Sequence, residues 1–281
     1  MNALSTLRTT NRLIGGIAPA FAAHVARGLL LKPHFTQVPL KWEAEALAQA
    51  EPITFRFGLP ALRWGESGPV VLMMHGWGGR GAQFHLLAET LAARGFQAIA
   101  LDGPAHGRSK GGIAHPLSFA EALLEAASEL RDVRAAVGHS MGGASMLFAL
   151  VEGLAVERAV AIAAASSMRG VLQRYARTLA LPEAAARRFI QGYEQVVGRP
   201  ADSLDIASMG HALRAEGLIV HDRDDCEVPH AESQRIAAAW RGARQLTTQG
   251  LGHNRVLRDA AVIAEIVGFI EGGSARNNST Q

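Results

Sequence analysis

Residues 133–144 read VRAAVGHSMGGA and contain the pattern that decides the fold. The apolar run over 133–137 predicts a buried strand, and the stretch from Met141 onward predicts a helix over 141–151. Between them lies G-x-S-x-G, centred on Ser140. A sharp strand-to-helix turn strains the backbone of such a serine and lifts its hydroxyl above the sheet. Ser140 is therefore the candidate nucleophile, although the 30 glycines of the chain also allow an ordinary glycine-rich turn.

Strand-like and helix-like segments alternate on both sides of this turn. Short apolar runs predict strands over 53–57, 61–64, 70–74, 98–101, 159–165, 218–221 and 245–248. Helical patterns cover 82–94, 119–130, 232–240 and 260–269, and Ser118 is the predicted N-cap of the second of these helices. Repeated alternation predicts an α/β fold with a mostly parallel central sheet and helices on both faces.

One stretch interrupts the alternation. Residues 167–212 separate two predicted strands by far more than an ordinary connection needs, and they contain two helical patterns, 172–179 and 182–197. We interpret them as a helical cap or lid inserted into a core made of 51–166 and 213–271. Residues 1–50 are predicted as a helical segment that packs on or precedes this core, and 272–281 as a flexible polar tail.

The N-terminus allows more than one interpretation. Arg8 and Arg12 precede an apolar stretch over 13–23, which resembles a signal peptide. However, Pro19 interrupts that stretch and the helical apolar pattern continues to Leu31, which favours an amphipathic helix on the domain or on a membrane surface. The chain has no run of 18 uncharged apolar residues, so we expect a cytoplasmic protein without integral membrane association, with export as the less favoured alternative.

Composition narrows the function classes. With 28 Lys and Arg against 25 Asp and Glu, the formal charge is only +3, and these residues are scattered along the chain, so we expect no nucleic-acid partner. Cys226 is the single cysteine, which excludes an intramolecular disulfide and a multi-thiolate iron–sulfur cluster. No phosphate-binding loop, dinucleotide motif or metal-ligand spacing occurs, so we predict no cofactor and no metal.

Four further segments accompany the G-x-S-x-G turn in a fixed order. They read HGWGG at 75–79, DGPAHGRS at 102–109, HDRDDCEVP at 221–229 and GLGH at 250–253. With them, the chain from about residue 53 to 270 resembles the α/β-hydrolase superfamily, in particular its serine esterases and lipases. Two departures are Ala105 and Asp222, which stand where the superfamily usually has glycine.

The resemblance implies an oxyanion hole built from backbone N–H groups. By analogy these belong to Trp77, in the loop after the third strand, and to Met141, directly after the serine. We expect Trp77 and His139 to contact substrate as well, although the Trp77 ring could equally pack in the core. The resemblance also implies structural roles for His75 and for the loop that contains His106.

The base and the acid follow from chain order, in which the acid comes after the serine and the histidine comes last. His253, in a glycine-rich loop after the last strand, is favoured over His230. The resemblance places the acid at Asp225, with Asp222 and Asp224 as rivals. A metal site made of this acidic cluster and the preceding histidine is the less favoured interpretation.

A serine nucleophile implies an acyl-enzyme intermediate and therefore ester chemistry. We predict hydrolysis of a small or medium uncharged carboxylic ester, a small-molecule substrate. Thioesterase, perhydrolase and carbon–carbon bond hydrolase activities use the same triad and remain open. A non-catalytic ligand-binding protein on the same fold is the alternative from another class, since fold does not determine function.

Overall fold

A computed structural model describes residues 3–33, 44 and 47–272 of the 281-residue chain. Within these residues eight strands form one sheet in the order β1-β2-β4-β3-β5-β6-β7-β8. The strand β2 runs antiparallel to both of its neighbours, whereas the pairs from β4 to β8 are parallel. The strands are β1 Glu51–Phe55, β2 Leu59–Trp64, β3 Val70–Met74, β4 Gln97–Leu101, β5 Val133–His139, β6 Arg158–Ile162, β7 Glu216–Asp222 and β8 Arg244–Thr248.

The helices cover both faces of this sheet. In β3, Leu72 and Met74 belong to one buried cluster and Val71 and Met73 to the other, as the two-residue period of a strand requires. The predicted mostly parallel sheet with helices on both faces is confirmed. The helices are α1 Ala3–Ile17, α2 Pro19–Leu31, α3 His85–Ala93, α4 Pro116–Glu129, α5 Met141–Val151, α6 Met168–Thr178, α7 Glu183–Val197, α8 Ile206–Met209, α9 Ala231–Ala239, α10 Gly252–Arg255 and α11 Ala260–Glu271.

The start of α4 corrects one prediction. Ser118 is not the N-cap, because the helix begins two residues earlier, at Pro116, and His115 occupies the cap position. His115 Nδ1 accepts from the Ser118 N–H at 3.1 Å, and the Ser118 hydroxyl accepts from the His115 N–H at 3.1 Å. Proline suits the first helical position, since its fixed φ matches the helix and its missing N–H would have no partner there.

The strand after the serine turn also differs from its prediction. The apolar run over 159–165 predicted a strand of seven residues, but β6 ends at Ile162. Ala163 has φ 50°, a left-handed conformation that ends extended pairing. The chain then leaves the sheet for the insertion, in which α6, α7 and α8 lie between β6 and β7.

The two N-terminal helices pack on this insertion. Pro19 divides them, because it occupies the first turn of α2 and cannot continue α1. The side-chain amide of Asn11 donates to the backbone O of Leu179 at 2.9 Å, at the end of α6, and α2 lies against α7. We call α1, α2, α6 and α7 the outer helical layer. None of the described helices has the length and apolarity needed to cross a bilayer. The tail predicted over 272–281 lies outside the described residues except for Gly272.

Candidate active site

The serine turn joins β5 to α5. Ser140 has φ 53° and ψ −119°, a conformation that non-glycine residues rarely adopt, and its N–H donates to Ile162 O at 2.8 Å. A Cβ on Gly142 would lie 2.2 Å from Met74 O, and one on Gly138 would lie 2.4 Å from Gly142 O. The flanking glycines are therefore required because the turn presses against β3 and its own helix, which leaves the half-buried Ser140 at the top of the sheet.

His253 and Asp225 are hydrogen-bonded. His253 Nδ1 lies 2.7 Å from Asp225 Oδ2, so its N–H donates to the carboxylate and its Nε2 is left as a proton acceptor. The histidine lies in the short helix α10, and both side chains are buried. His253 and Ser140 line the same pocket, so the three predicted triad residues come together at the carboxyl ends of β5, β7 and β8.

Asp225 is held as an anion by several donors. Its Oδ1 accepts from the N–H groups of Glu227 at 2.8 Å and Val228 at 2.9 Å, and its Oδ2 lies 3.2 Å from His221 Nε2. Burial alone would raise the pKa of this carboxyl. The hydrogen bonds from His221 and His253 outweigh burial and hold the pKa well below its usual range. A carboxylate that stays ionised can orient an imidazole and stabilise its protonated form.

The rival residues have other partners. Asp222 accepts from the Thr248 hydroxyl at 2.7 Å and from Leu251 N–H at 3.0 Å, and Asp224 accepts from Gly250 N–H at 3.0 Å. These two carboxylates therefore connect the loop that carries Asp225 to the loop that leads into His253. His230, whose Nε2 is 3.4 Å from a threonine hydroxyl of β8, is not among the residues that line the serine pocket.

The loop after β3 carries Trp77 beside the serine. The N–H groups of the two residues that follow Trp77 already have acceptors. Gly78 donates to His106 Nε2 at 3.0 Å, and Gly79 donates to Gly76 O at 3.0 Å. Met141 is the first residue of α5, where N–H groups have no intrahelical acceptor. Trp77 and Met141, whose N–H groups are predicted to form the oxyanion hole, both line one apolar pocket together with Ser140.

Two buried histidines support this loop from below. His75 Nε2 accepts from Gly103 N–H at 2.9 Å, so the ring is neutral, and its Nδ1–H donates to Gly76 O at 2.7 Å. Burial, together with the charge of His106, lowers the pKa of His75 to about 4. His106 Nδ1 in turn lies 3.0 Å from Pro104 O. Both rings connect two loops, consistent with the structural roles that the resemblance implies.

His139 packs against His253. Its ring is 3% exposed, its centroid is 4.8 Å from that of His253, and its Nε2 lies 2.9 Å from His253 O. Burial and the neighbouring His253 lower the pKa of His139 to about 3. His139 is among the residues that line the serine pocket, and its ring also contacts the backbone of His253.

Two pockets meet at Ser140 and Trp77. The polar one, of about 380 Å³, contains His253 and polar or charged side chains that include Gln83, Glu227 and Asn254. The apolar one, of about 150 Å³, contains Met141 but not His253. Its other lining residues are Leu30, Leu31, Ala114, His115, Pro116, Ala144, Phe148, Ala165, Met168, Val171, Tyr193 and Val228.

Several of these wall residues were not identified from the sequence. Leu30 and Leu31 end α2, and Tyr193 belongs to α7, so the outer helical layer forms part of the apolar wall. Apolar periodicity predicted that such residues would be buried, but periodicity does not identify the neighbour. Glu227, with Oε2 3.8 Å from His253 Nε2, had no sequence signal.

The predicted acidic cluster shows no metal-ligating arrangement. Among the described residues no group of three or more histidine, cysteine, aspartate or glutamate side chains is placed to hold a metal ion. Cys226 is exposed and free.

Comparison with known proteins gives the same fold. The family model described as the alpha/beta hydrolase family matches residues 70–266. An esterase from Pyrococcus furiosus superposes with a TM-score of 0.61 at 18% identity, covering 86% of this chain and 97% of the esterase. A meta-cleavage product hydrolase from Pseudomonas fluorescens gives 0.59 at 18% identity, covering 80% and 98% of the two chains.

A thioesterase domain from the curacin biosynthetic pathway is similar to the same extent, with a TM-score of 0.59, 18% identity and coverage of 79% and 99%. At such low sequence identity the structural similarity establishes the fold alone. The names of the three proteins refer to three different reactions. The comparison with curated proteins gives no match.

Proposed function

The chain belongs to the α/β-hydrolase family, and we propose that it is a serine hydrolase that cleaves an uncharged carboxylic ester through an acyl-enzyme. One observation carries the proposal. The buried carboxylate of Asp225 orients His253 by a 2.7 Å hydrogen bond, and His253 shares a pocket with Ser140. A serine, an imidazole and an anionic carboxylate in this order are the components of acyl transfer.

The first half of the reaction forms the acyl-enzyme. Ser140 Oγ attacks the ester carbonyl carbon while His253 Nε2 takes the serine proton, and Asp225 stabilises the resulting imidazolium. The negative charge on the carbonyl oxygen is stabilised by the N–H groups of Trp77 and Met141, together with the N-terminus of α5. The C–O bond to the alcohol then breaks, and the alkoxide leaves with the proton from His253.

The second half regenerates the serine. A water molecule attacks the acyl carbon while His253 removes its proton, and collapse of the tetrahedral species returns that proton to Ser140 as the carboxylic acid departs. The strained backbone of Ser140 keeps its hydroxyl at the entrance to both pockets during both halves.

The two pockets suggest how an ester binds. The leaving alcohol must lie near His253, because that residue protonates it, and His253 lines only the polar pocket of the two. The acyl group then occupies the apolar pocket beside Met141. We therefore propose an apolar acyl group and a leaving group that tolerates polar substituents.

The test is labelling of Ser140. Purified protein is treated with a fluorophosphonate probe, digested, and analysed by peptide mass spectrometry, in parallel with Ser140→Ala and with Ser128→Ala, a change at an exposed helical serine. We expect an adduct on the Ser140 peptide in the wild type and in Ser128→Ala. In Ser140→Ala we expect no adduct and at least a 10³-fold loss of turnover, on the order seen when a triad member is removed.

A screen with p-nitrophenyl esters and matched thioesters identifies the type of bond that the protein cleaves. Folded wild-type protein that gives neither an adduct nor turnover would contradict the hydrolase proposal and support a ligand-binding protein. A clear preference for thioesters would retain the mechanism but correct the substrate class.

A further inference from the structure

The apolar pocket has an unusual wall, because part of it comes from the N-terminus of the chain. Leu30 and Leu31 contribute to its lining, more than one hundred positions before Ser140. Leu31 is 4% exposed, and its backbone O accepts from Ala114 N–H at 2.9 Å. Since Ala114 lines the same pocket, this bond attaches the end of α2 directly to the site.

The remainder of α2 packs closely against α7. Three small side chains, Ala22, Ala23 and Ala26, are buried along α2, so its backbone can approach its neighbours closely. On α7, Gly192 lies under the Arg27 guanidinium, where a Cβ would come within 2.2 Å of a guanidinium nitrogen. The next residue of α7, Tyr193, lines the apolar pocket. The contact between α2 and α7 therefore forms one continuous wall.

The size of the pocket indicates what it can hold. An apolar cavity of about 150 Å³ accommodates a benzene-sized molecule, and this pocket has about that volume. All but a few of its lining side chains are apolar. Such a lining disfavours charged or strongly polar acyl groups.

We propose that α2 is a specificity-determining wall of the acyl pocket, and that Leu30 and Leu31 limit the substrate to an uncharged apolar acyl group of about six carbons or one aromatic ring. This inference rests on the proposed ester hydrolysis for its substrate class, but the pocket itself can be tested without catalysis. It also implies that residues 19–31 remain in the active protein, because their removal would open the pocket to solvent.

The experiment measures kcat/KM for p-nitrophenyl acetate, butyrate, hexanoate, octanoate and decanoate. Each methylene that enters an apolar pocket contributes about fourfold, so the wild-type value should rise to about six carbons and then fall. Leu30→Trp, which fills the pocket, should reduce the ratio of hexanoate to acetate by at least tenfold. Leu30→Ala, which enlarges it, should move the optimum to a longer chain.

The control is Phe21→Ala, a change of similar size on the same helix at a side chain that is 59% exposed. This variant should keep the wild-type chain-length profile. If both Leu30 variants fold, as judged by circular dichroism, and keep the wild-type profile, the inference is wrong while ester hydrolysis stands.

A binding measurement separates the two proposals if no ester is cleaved. Toluene at saturation should raise the Tm of the wild type and of Phe21→Ala, but not that of Leu30→Trp. That result without any hydrolysis would contradict the proposed function and retain the pocket. No rise for the wild type, in a protein that cleaves no ester, would overturn both.

Discussion

Asp225 accepts more hydrogen bonds than a carboxylate that only orients an imidazole would need. The Glu227 and Val228 N–H groups fix one oxygen, and His221 and His253 approach the other. The carboxylate therefore has enough partners to hold its position independently of His253. Its two histidine partners distinguish it from Asp222 and Asp224, which accept from backbone N–H groups and from a hydroxyl of β8.

Asp225→Asn tests this difference. The amide can keep the fold of the loop but cannot stabilise an imidazolium, so turnover should fall by about 10⁴. The matched change Asp224→Asn, at an exposed carboxylate in the same loop, should cost less than tenfold. Steady-state kinetics at saturating ester, with near-wild-type circular dichroism for both variants, gives the comparison. A larger loss for Asp224→Asn would move the acid to that residue.

Among the elements, α6 is tied to the core by a buried charge. Glu232 in α9 accepts from the Ser166 N–H at 2.9 Å and from the Ser166 hydroxyl at 2.5 Å, and its other oxygen contacts the Arg174 guanidinium. The side chain of Glu232 is 8% exposed. The insertion is thus attached to α9 as well as to β6, which limits how far α6 can move away from the serine pocket.

Arg174→Met should loosen this attachment. The variant leaves one oxygen of a buried carboxylate without its cation, at a cost of about 1–3 kcal/mol. Arg187→Met is the control, because Arg187 pairs with Glu183 on the exposed surface of α7, where such pairs contribute less than about 1 kcal/mol.

Hydrogen exchange of the two variants provides the measurement. Amides of 168–178 should exchange faster in Arg174→Met than in the wild type, and Arg187→Met should match the wild type there. Equal exchange in all three proteins would show that Glu232 does not hold α6.

At the scale of the whole molecule, the site contains buried histidines in the neutral form, among them His75 and His139. The pKa of His75 is lowered to about 4 and that of His139 to about 3, and burial is the largest cause of both shifts. In the unfolded chain both titrate near 6.5. As pH falls from 6.5 toward 4, the unfolded chain therefore binds protons that the folded protein does not, and the free energy of unfolding decreases.

We expect this decrease to reach roughly 2 kcal/mol per histidine between pH 7 and 4.5, as measured by urea denaturation. Asp225 contributes little in this window, because its lowered pKa affects stability only when pH falls through the ordinary aspartate range and below. His139→Asn should remove the share of one histidine from this pH dependence, about 2 kcal/mol, and His211→Asn, at an exposed site, should not change it. A wild type whose stability is the same at both pH values would contradict the assignment of buried neutral rings.

The fold and the sharp turn at Ser140 could both be predicted from the sequence. Strand β3 and helix α5 have the predicted bounds, and the glycines around Ser140 are required by contacts within a few residues or with the adjacent strand. Parallel strands bring their carboxyl ends to one edge, which is why the loops that follow β5, β7 and β8 meet there. Their roles in catalysis remain the proposal made above.

The contacts between distant parts of the chain could not be predicted from the sequence. The apolar pattern up to Leu31 predicted an amphipathic helix that packs on the domain or lies on a membrane surface. Burial of an apolar face is non-directional and does not select α7 or the apolar pocket as its neighbour. The same holds for His139, whose contact with His253 O joins positions 114 residues apart. Local sequence encodes backbone conformation through sterics and hydrogen bonding, whereas the shape of the apolar pocket depends on packing between elements that no local pattern links.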